Sequence, residues 1–453
     1  MRSTVQMIFI GDTPQKQNGQ AVLGEYVPLL GETFYRIQNF DAMEPFFISV
    51  ISSSDQWMFI ASTGGLSAGR VSAEQALFPY YTVDKLTENS ENTGSKTILL
   101  VRRGNRTSLW EPFSDRQRGC YAVERSLYKN LTGTALVFEE TNLDLGLTFR
   151  YAWRTSDQFG LVKTAWLIET SQAPCRVELL DGIQNLLPAN ITSQTQNTFS
   201  SLLDAYKRSE LHPESGLAIF TLNSTLTDLA EPSESLLANT VCQVGLDPVS
   251  YLLCSAQLER FRRGEPLTPE TEVRGQRGAY FVQAALELQP GQEHSWHLLA
   301  EVSQDSAAIV EKLQWLHGDR EALSQEIETD IAASQRKLWE IVAGADGLQL
   351  SNNRTYTDHH FANVMFNLMR GGTFVNQYWI QGQDFIDFVS GRNRQVLAEH
   401  PEFFAALPET IHLTDLQARA EASGSPELVR LSYAYLPLSF SRRHGDPSRP
   451  WNR

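Results

Sequence analysis

Few side chains in this sequence combine the residue type and the spacing that catalysis or metal binding requires. His359 and His360 are adjacent on a predicted helix, where neighbouring side chains point about 100° apart and cannot share one metal ion as an i,i+4 pair can. Asp384 and Asp387 stand three residues apart on another predicted helix, and we interpret them as part of a solvated helix face. The sequence therefore predicts no metal site and no catalytic carboxylate pair.

Motifs for phosphate binding are missing as well. The glycine-rich stretch from Gly64 to Arg70 lacks the Lys and Ser/Thr of a P-loop and the spacing of a dinucleotide motif, so we predict a tight turn that presents Arg70. No Cys/His pair at a known spacing occurs. We expect neither a hydrolase with a nucleophilic side chain nor a cofactor.

Aromatic residues are the more informative group, because sugar rings stack on flat aromatic faces. An exposed ring would serve as such a face, whereas a ring inside a β-sandwich would only pack, and the sequence leaves both interpretations open. If Trp110 and Arg70 mark a sugar-facing edge, the Trp110 ring must be at least partly exposed. The aromatic candidates are Phe78, Tyr80, Tyr81, Trp110, Phe113, Trp153 and Trp166.

The elements that must position these residues have a period of two up to about residue 303. Apolar residues alternate from Leu143 to Trp153, which predicts one long half-buried strand. The same pattern recurs at 162–168, 282–288 and 296–302. Many strands joined by polar turns over this length predict a large antiparallel double sheet.

From Asp305 the period becomes helical. Asp305 is predicted to cap a first helix, and a second, longer helix is predicted to end at Gly344. A third helix is predicted to begin at Thr357 or Asp358 and to end at Gly371. The sequence thus predicts a β domain that is followed by a helical segment.

Composition narrows the classes of partner. The chain has 453 residues and a formal net charge of −15, and it lacks a run of Lys and Arg, so it would repel the phosphate backbone of nucleic acid. No apolar run is long enough to span a membrane, and the apolar stretch from Val5 to Gly11 is too short for a signal peptide, so the predicted location is the cytoplasm. Four cysteines in so long a chain form neither a disulfide framework nor a metal knuckle and are predicted to be buried thiols. They are Cys120, Cys175, Cys242 and Cys254.

Several short segments together resemble a known family. They are residues 46–59, 64–70, 78–80, 110–113, 181–188, 280–282 and 288–291. These segments resemble the cellobiose phosphorylases of glycoside hydrolase family 94, formerly glycosyltransferase family 36. The resemblance implies an N-terminal β-supersandwich like that of galactose mutarotase, then a helical linker, an (α/α)6 catalytic barrel and a small jelly roll.

The fold class that follows is β then α, with a large antiparallel β-supersandwich before a helical linker. The expected domains are a supersandwich at 1–303, a linker at 304–440 and the start of a missing (α/α)6 barrel at 441–453. In the family an Asp of the barrel is the general acid, and inorganic phosphate attacks the anomeric carbon with inversion. The resemblance therefore implies a non-catalytic N-terminal part, with no catalytic residue of its own and with inorganic phosphate as co-substrate of the full-length protein.

The resemblance also suggests contacts and partners. The expected partners are a disaccharide or oligosaccharide, the missing barrel and a second copy of the chain, because in the family this domain reaches the neighbouring subunit's active-site mouth. The chain's final segment could equally be a solvated linker. The candidate substrate-binding residues are Arg70, Trp110, Arg443, His444 and Asp446. An apolar surface for the barrel is expected around Tyr433, Tyr435, Leu436 and Leu438.

Two other function classes stay open. A stand-alone carbohydrate-binding module would show a flat strip of exposed aromatic rings. A mutarotase-type aldose epimerase would need a His and a Glu that converge in the cleft of the sheet, and the β domain offers His212, His294 and His297. The positions of these side chains in the fold distinguish the two.

Overall fold

The computed structural model describes residues 8–16, 21–224, 236–345, 347–349, 351–371, 378–435 and 437. The chain divides into two compact units, Met1–Gln335 and Arg336–Arg453. The boundary lies inside a single long helix, α6 (Arg320–Gly344). No helix in the described ranges is both long and apolar enough to cross a membrane.

The first unit is built mainly from strands. They are β1 (Phe9–Ile10), β2 (Thr13–Pro14), β3 (Leu23–Leu29), β4 (Glu32–Gln38), β5 (Phe47–Val50), β6 (Gln56–Ala61), β7 (Leu66–Arg70), β8 (Ala76–Phe78), β9 (Gly94–Arg103), β10 (Arg106–Trp110), β11 (Val123–Asn130), β12 (Ala135–Asn142), β13 (Leu147–Ser156), β14 (Gly160–Glu169), β15 (Cys175–Leu186), β16 (Lys207–His212), β17 (Leu217–Leu222), β18 (Ala238–Val244), β19 (Pro248–Leu252), β20 (Glu272–Arg274), β21 (Gly278–Leu288) and β22 (Glu293–Gln304). Its helices are α1 (Val83–Glu88), α2 (Ser193–Thr198), α3 (Ser200–Tyr206), α4 (Leu258–Arg262), α5 (Ser306–Trp315) and the first part of α6.

In the described part of the chain these strands form one large sheet and three smaller ones, and every pairing is antiparallel. The large sheet has the order β20-β16-β17-β18-β22-β14-β13-β12-β11-β4-β3. A five-stranded sheet has the order β10-β9-β15-β21-β19, a four-stranded sheet runs from β5 to β8, and β1 pairs with β2. The prediction of a large antiparallel β-sandwich followed by helices is confirmed.

The central strand β14 is buried on both faces, and this places the helices. Leu161, Ala165 and Leu167 point into the core between the sheets, as strand alternation requires. Val162 points to the opposite face, where it packs in a cluster with Leu323, Ile327 and Ile331 of α6. This part of the second face of the large sheet is therefore covered by α6.

A buried ion pair joins the large sheet to the five-stranded sheet. Asp181 accepts hydrogen bonds from Lys163 Nζ at 2.6 Å, from Thr97 Oγ1 at 2.6 Å and from Trp296 Nε1 at 2.7 Å. Lys163 and Asp181 are both fully buried. Since every oxygen of the carboxylate has a partner, the pair is satisfied and links the two sheets through the core.

Two local predictions are wrong. The strand predicted from Leu143 to Trp153 is interrupted, because Gly146 has a positive φ of 63° and its N–H donates to the carbonyl of Asn142, which forms a hairpin turn between β12 and β13. Cys120 is exposed, whereas Cys175, Cys242 and Cys254 are buried as predicted. Cys120 directly follows a turn at Gly119, where a loop runs over the surface.

The second unit is helical. After the end of α6 it contains α7 (Arg354–Gly371), β23 (Trp379–Gln381), α8 (Gly382–Arg392), α9 (Arg394–Glu399), α10 (Pro401–Ala405), β24 (Thr410–His412), α11 (Leu413–Ala422) and α12 (Pro426–Ala434). The predicted end of α6 at Gly344 and the Asp305 cap of α5 are both observed, the latter as a 2.9 Å hydrogen bond from Ala308 N. β23 and β24 pair as a two-stranded ribbon. Its apolar face joins a core that includes Ile380, Phe385, Val389, Ile411, Leu416 and Leu428.

Candidate functional site

Arg70, the first of the predicted substrate contacts, is held by protein groups. It lies at the end of β7, where its guanidinium donates to both carboxylate oxygens of Glu301 at 2.7 and 2.9 Å. It also donates to Asp55 Oδ1 at 2.8 Å and to the carbonyl of Asp157 at 3.2 Å. Every nitrogen of the Arg70 fork has an acceptor in the protein, so the side chain ties β7 to the large sheet.

Trp110 lies in the core and presents no open ring face. It is 1% exposed, and its Nε1 donates to Glu140 Oε1 at 2.8 Å. The other oxygen of Glu140 accepts from Phe113 N at 2.8 Å and from Arg125 Nε at 2.7 Å. The expectation of a partly exposed Trp110 is therefore wrong, because the ring is needed to satisfy a buried carboxylate. Glu140 itself is buried as well.

The other residues predicted to make contacts lie in the core, at the surface or outside the described residues. Arg443, His444 and Asp446 lie outside the described residues, as do Leu436 and Leu438. Of the expected apolar surface, Tyr433 is exposed and Tyr435 is buried. Arg70 and Trp110 have no hydrogen-bond partner in common. The aromatic candidates Phe78, Trp153 and Trp166 are buried in the core.

A polar cluster fills the face of the large sheet beneath α6. Arg154 on β13 donates to the two oxygens of Glu328 on α6 at 2.5 and 2.6 Å, and to Thr164 Oγ1 at 2.6 Å. His297 on β22 lies between Thr164 Oγ1, 2.9 Å from its Nδ1, and Ser324 Oγ, 2.8 Å from its Nε2. The cluster therefore joins three neighbouring strands to the helix.

This cluster contains the convergent His and Glu that an aldose epimerase would need. His297 Nδ1 is 3.9 Å from Glu328 Oε1. Because Arg154 can only donate, the hydroxyl hydrogen of Thr164 is free to bond Nδ1, and the Nε2 hydrogen is directed to Ser324. Burial lowers the pKa of His297 to about 4, although the nearby Glu328 raises it. The imidazole is thus neutral at pH 7, has both nitrogens occupied and is sealed from solvent by α6.

A small polar cavity extends from this cluster along the sheet. Its volume is about 90 Å³, and its lining includes Glu32, Thr134, Arg154 and Gln335. Burial raises the pKa of the Glu32 carboxyl, although Asn130 and Gln335 donate hydrogen bonds to it, Gln335 at 2.6 Å. The Nε atom of Arg154 is buried without a partner. A cavity of this size holds a few water molecules and is far smaller than the roughly 300 Å³ at which small-molecule pockets begin.

One group of described aromatic rings that face solvent lies at the ribbon of the second unit. Tyr378 is 43% exposed and Trp379 is 47% exposed. Trp379 pairs across the ribbon with His412, and the two rings are nearly perpendicular at a centroid distance of 5.3 Å. Tyr378 lies 6.2 Å from the same imidazole. The sequence does not indicate this group, because a strand of three residues is too short to show a period.

The same part of the chain matches a known protein family. Residues 374–437 match the family model of glycoside hydrolase family 149 insertion domain 1. This supports the predicted similarity to glycoside hydrolases and phosphorylases, although the matching family is 149 and not the predicted family 94. Among curated protein sequences, no match to this chain is found.

Solved structures of carbohydrate-active proteins are also similar to this chain. A bacterial glucoamylase in complex with acarbose has 10% sequence identity and a TM-score of 0.42, over 86% of this chain and 57% of its own. A candidate kojibiose phosphorylase from the human microbiome has 9% sequence identity and a TM-score of 0.28, over 78% of this chain and 34% of its own. A GalM/aldose epimerase homologue from C. elegans has 11% sequence identity and a TM-score of 0.32, over 58% of this chain and 100% of its own. The chain thus spans little more than half the length of the glucoamylase and a third of that of the phosphorylase.

Proposed function

We propose that this chain is a non-catalytic, saccharide-handling part of a glycoside phosphorylase-like or hydrolase-like enzyme. The observation that carries the proposal is the match of residues 374–437 to an insertion domain of a glycoside hydrolase family, in a chain whose first unit contains a large β-sandwich. In this proposal the full-length protein cleaves β-glucosidic disaccharides or oligosaccharides, and inorganic phosphate is the attacking co-substrate. A catalytic barrel would supply the general acid, and a second copy of the chain is a further expected partner.

The state of the polar cluster favours a non-catalytic role over the epimerase alternative. Catalysis by a His and a Glu requires that a sugar reach both side chains and that the His exchange protons near neutral pH. His297 is buried beside Glu328 under α6, and its pKa is about 4. The cavity of about 90 Å³ beside the cluster has no room for a sugar ring together with its hydration. The arrangement instead fixes the helix to the sheet.

The experiment is a comparison of the purified 453-residue chain with the full-length protein. Both are incubated with cellobiose and cellotetraose, with and without inorganic phosphate, and released sugar 1-phosphate and free glucose are measured. We expect phosphate-dependent turnover by the full-length protein and none by the 453-residue chain, with a matched blank purification as control. Turnover by the chain alone would show that the catalytic groups lie within it, and a failure of phosphate to stimulate the full-length protein would exclude phosphorolysis.

A further inference from the structure

We propose that the outer face of the ribbon formed by β23 and β24 is a binding site for a neutral pyranose ring of an oligosaccharide. This outer face consists of Trp379, Gln381, Thr410 and His412. The inference deepens the proposed function, on which it rests for the class of ligand, by naming a site within the segment that matches the glycoside hydrolase family.

The six residues of the ribbon lie on two opposite faces. Trp379 pairs with His412 and Gln381 pairs with Thr410, while the central residues Ile380 and Ile411 pair between them. Ile380 and Ile411 are buried in the core of the second unit, and successive residues of a strand point to opposite faces. The other four side chains therefore share the face that points away from this core.

The indole of Trp379 supplies the stacking surface. Nearly half of the side chain is exposed, and the perpendicular His412 ring fixes its orientation. The negative face of an indole attracts the polarised C–H groups of a sugar ring. Tyr378, which enters the ribbon with a positive φ of 75°, adds a second exposed ring beside His412. A left-handed backbone conformation is costly for a tyrosine. Residues held in such costly conformations cluster at functional sites, including ligand-binding sites.

The same face carries polar atoms that can form hydrogen bonds with the hydroxyl groups of a sugar. The amide of Gln381 and the hydroxyl of Thr410 stand across the ribbon from each other, with Gln381 Nε2 3.5 Å from Thr410 Oγ1. Gln381 is two residues from Trp379, about 6.6 Å along the strand, which is the scale of one pyranose ring. His412 Nδ1 accepts from Thr414 N, so its Nε2 carries the hydrogen and is a donor.

Charge and rigidity limit the kind of ligand. Trp379, Gln381 and Thr410 have no charged group, so the face lacks the Arg or Lys that would recognise a uronate or a phosphate. Both strands lead directly into helices, since Gln381 precedes α8 and His412 precedes α11. The site is thus preorganised and matches a neutral saccharide, whose binding costs little ordering of the protein.

The test measures binding of cellohexaose and maltohexaose to the 453-residue chain by isothermal titration calorimetry, with oligogalacturonate as the charged comparator. We expect millimolar or tighter binding of at least one neutral glucan and none of the galacturonate. Trp379→Ala should weaken binding about tenfold or more, a loss of ~1.4 kcal/mol, and Gln381→Ala should weaken it less. The matched control is Trp339→Ala, because Trp339 on α6 is 44% exposed and lies outside the ribbon.

Circular dichroism checks whether Trp379→Ala remains folded. If it does not, Trp379→Phe is the second variant, because it keeps a smaller ring and a folded ribbon. Binding that survives the loss of the ring, or the absence of binding to both neutral glucans, would overturn the site. Tighter binding of oligogalacturonate than of either glucan would do the same. Because binding is measured without phosphate and without turnover, its failure is distinct from a failure of the phosphorolysis experiment.

Discussion

Arg154 on β13 and Glu328 on α6 form a two-pronged ion pair across 174 residues of sequence, with N–O distances of 2.5 and 2.6 Å. The Arg154 side chain is almost fully buried, whereas that of Glu328 is partly exposed. The pair, together with Thr164 and His297, attaches α6 to the face of the large sheet. This attachment places α6 over the part of the sheet where a sugar would have to enter to reach His297.

The first prediction concerns this ion pair. Glu328→Gln removes the negative charge and leaves the buried Arg154 guanidinium opposite a neutral amide. Loss of one partner of a buried pair is costly, and the partial exposure of Glu328 reduces the cost, so we expect the free energy of unfolding to fall by about 2 kcal/mol. Chemical denaturation measures the change. The control is Glu321→Gln, an exposed carboxylate on the same helix, which should change stability by less than about 0.5 kcal/mol.

Trp110 provides a second prediction, which separates a core role from a sugar-binding role. Trp110→Phe leaves a cavity and removes the donor to Glu140 Oε1, so we expect the free energy of unfolding to fall by about 2–4 kcal/mol. The same substitution at the exposed Trp339 should cost less than about 0.5 kcal/mol. Saccharide binding by Trp110→Phe, measured below its unfolding midpoint, should equal that of the unsubstituted chain. A selective loss of sugar affinity with unchanged stability would restore the contact role.

The sequence predicts this fold where short-range physics decides it. The change of period at Asp305, the cap that Asp305 forms and the end of α6 at Gly344 are local signals, and all three are observed. The turn at Gly146 was missed because apolar residues keep alternating through it, although Leu143 is exposed within the turn. The alternation of apolar residues does not indicate where the backbone has a positive φ, and Gly146 has one.

The candidate sites were harder to predict because burial depends on partners that are distant in sequence. The sequence around Trp110 leaves a core and a surface position open, and in the fold the ring is buried with its N–H donated to Glu140, 30 residues away, at 2.8 Å. His297 meets Glu328 only because α6 returns over the sheet. Trp379 faces solvent because Ile380 beside it fills the core, and a pattern of three residues does not distinguish the two faces.

Arg70 gives a third prediction. Arg70→Met removes the guanidinium that satisfies Glu301 and Asp55, and the buried Glu301 carboxylate would then lack its strongest partner. We expect the free energy of unfolding to fall by about 3 kcal/mol, as for other buried pairs from which one member is removed. Arg70→Lys should recover only part of the loss, because an ammonium cannot bond both oxygens of Glu301 and Asp55 together. Equal stability of all three proteins in denaturant titrations would contradict the structural role.

The last prediction concerns the pH dependence of stability through His297. Burial lowers the pKa of this imidazole to about 4 in the folded chain, against about 6.5 in an unfolded one. Between these values the unfolded chain binds a proton that the folded chain does not, so the free energy of unfolding must rise with pH. This group alone should make the chain about 2 kcal/mol more stable at pH 7 than at pH 5, and it should contribute no further change above about pH 7.5.

His297→Gln keeps an amide between Thr164 and Ser324 but cannot titrate, so it should remove this part of the slope while it lowers stability at pH 7. His317→Gln, at an exposed position, is the matched control and should keep the slope. The measurement is the free energy of unfolding in urea at pH 5, 6, 7 and 8 for the three proteins. The ion pair with Arg154 lowers the pKa of the Glu328 carboxyl despite its burial, so this neighbour of His297 stays ionised across the window. An unchanged slope in His297→Gln would show that the imidazole is accessible and protonated in the folded chain, and this would reopen the cleft beneath α6 as a site for proton transfer.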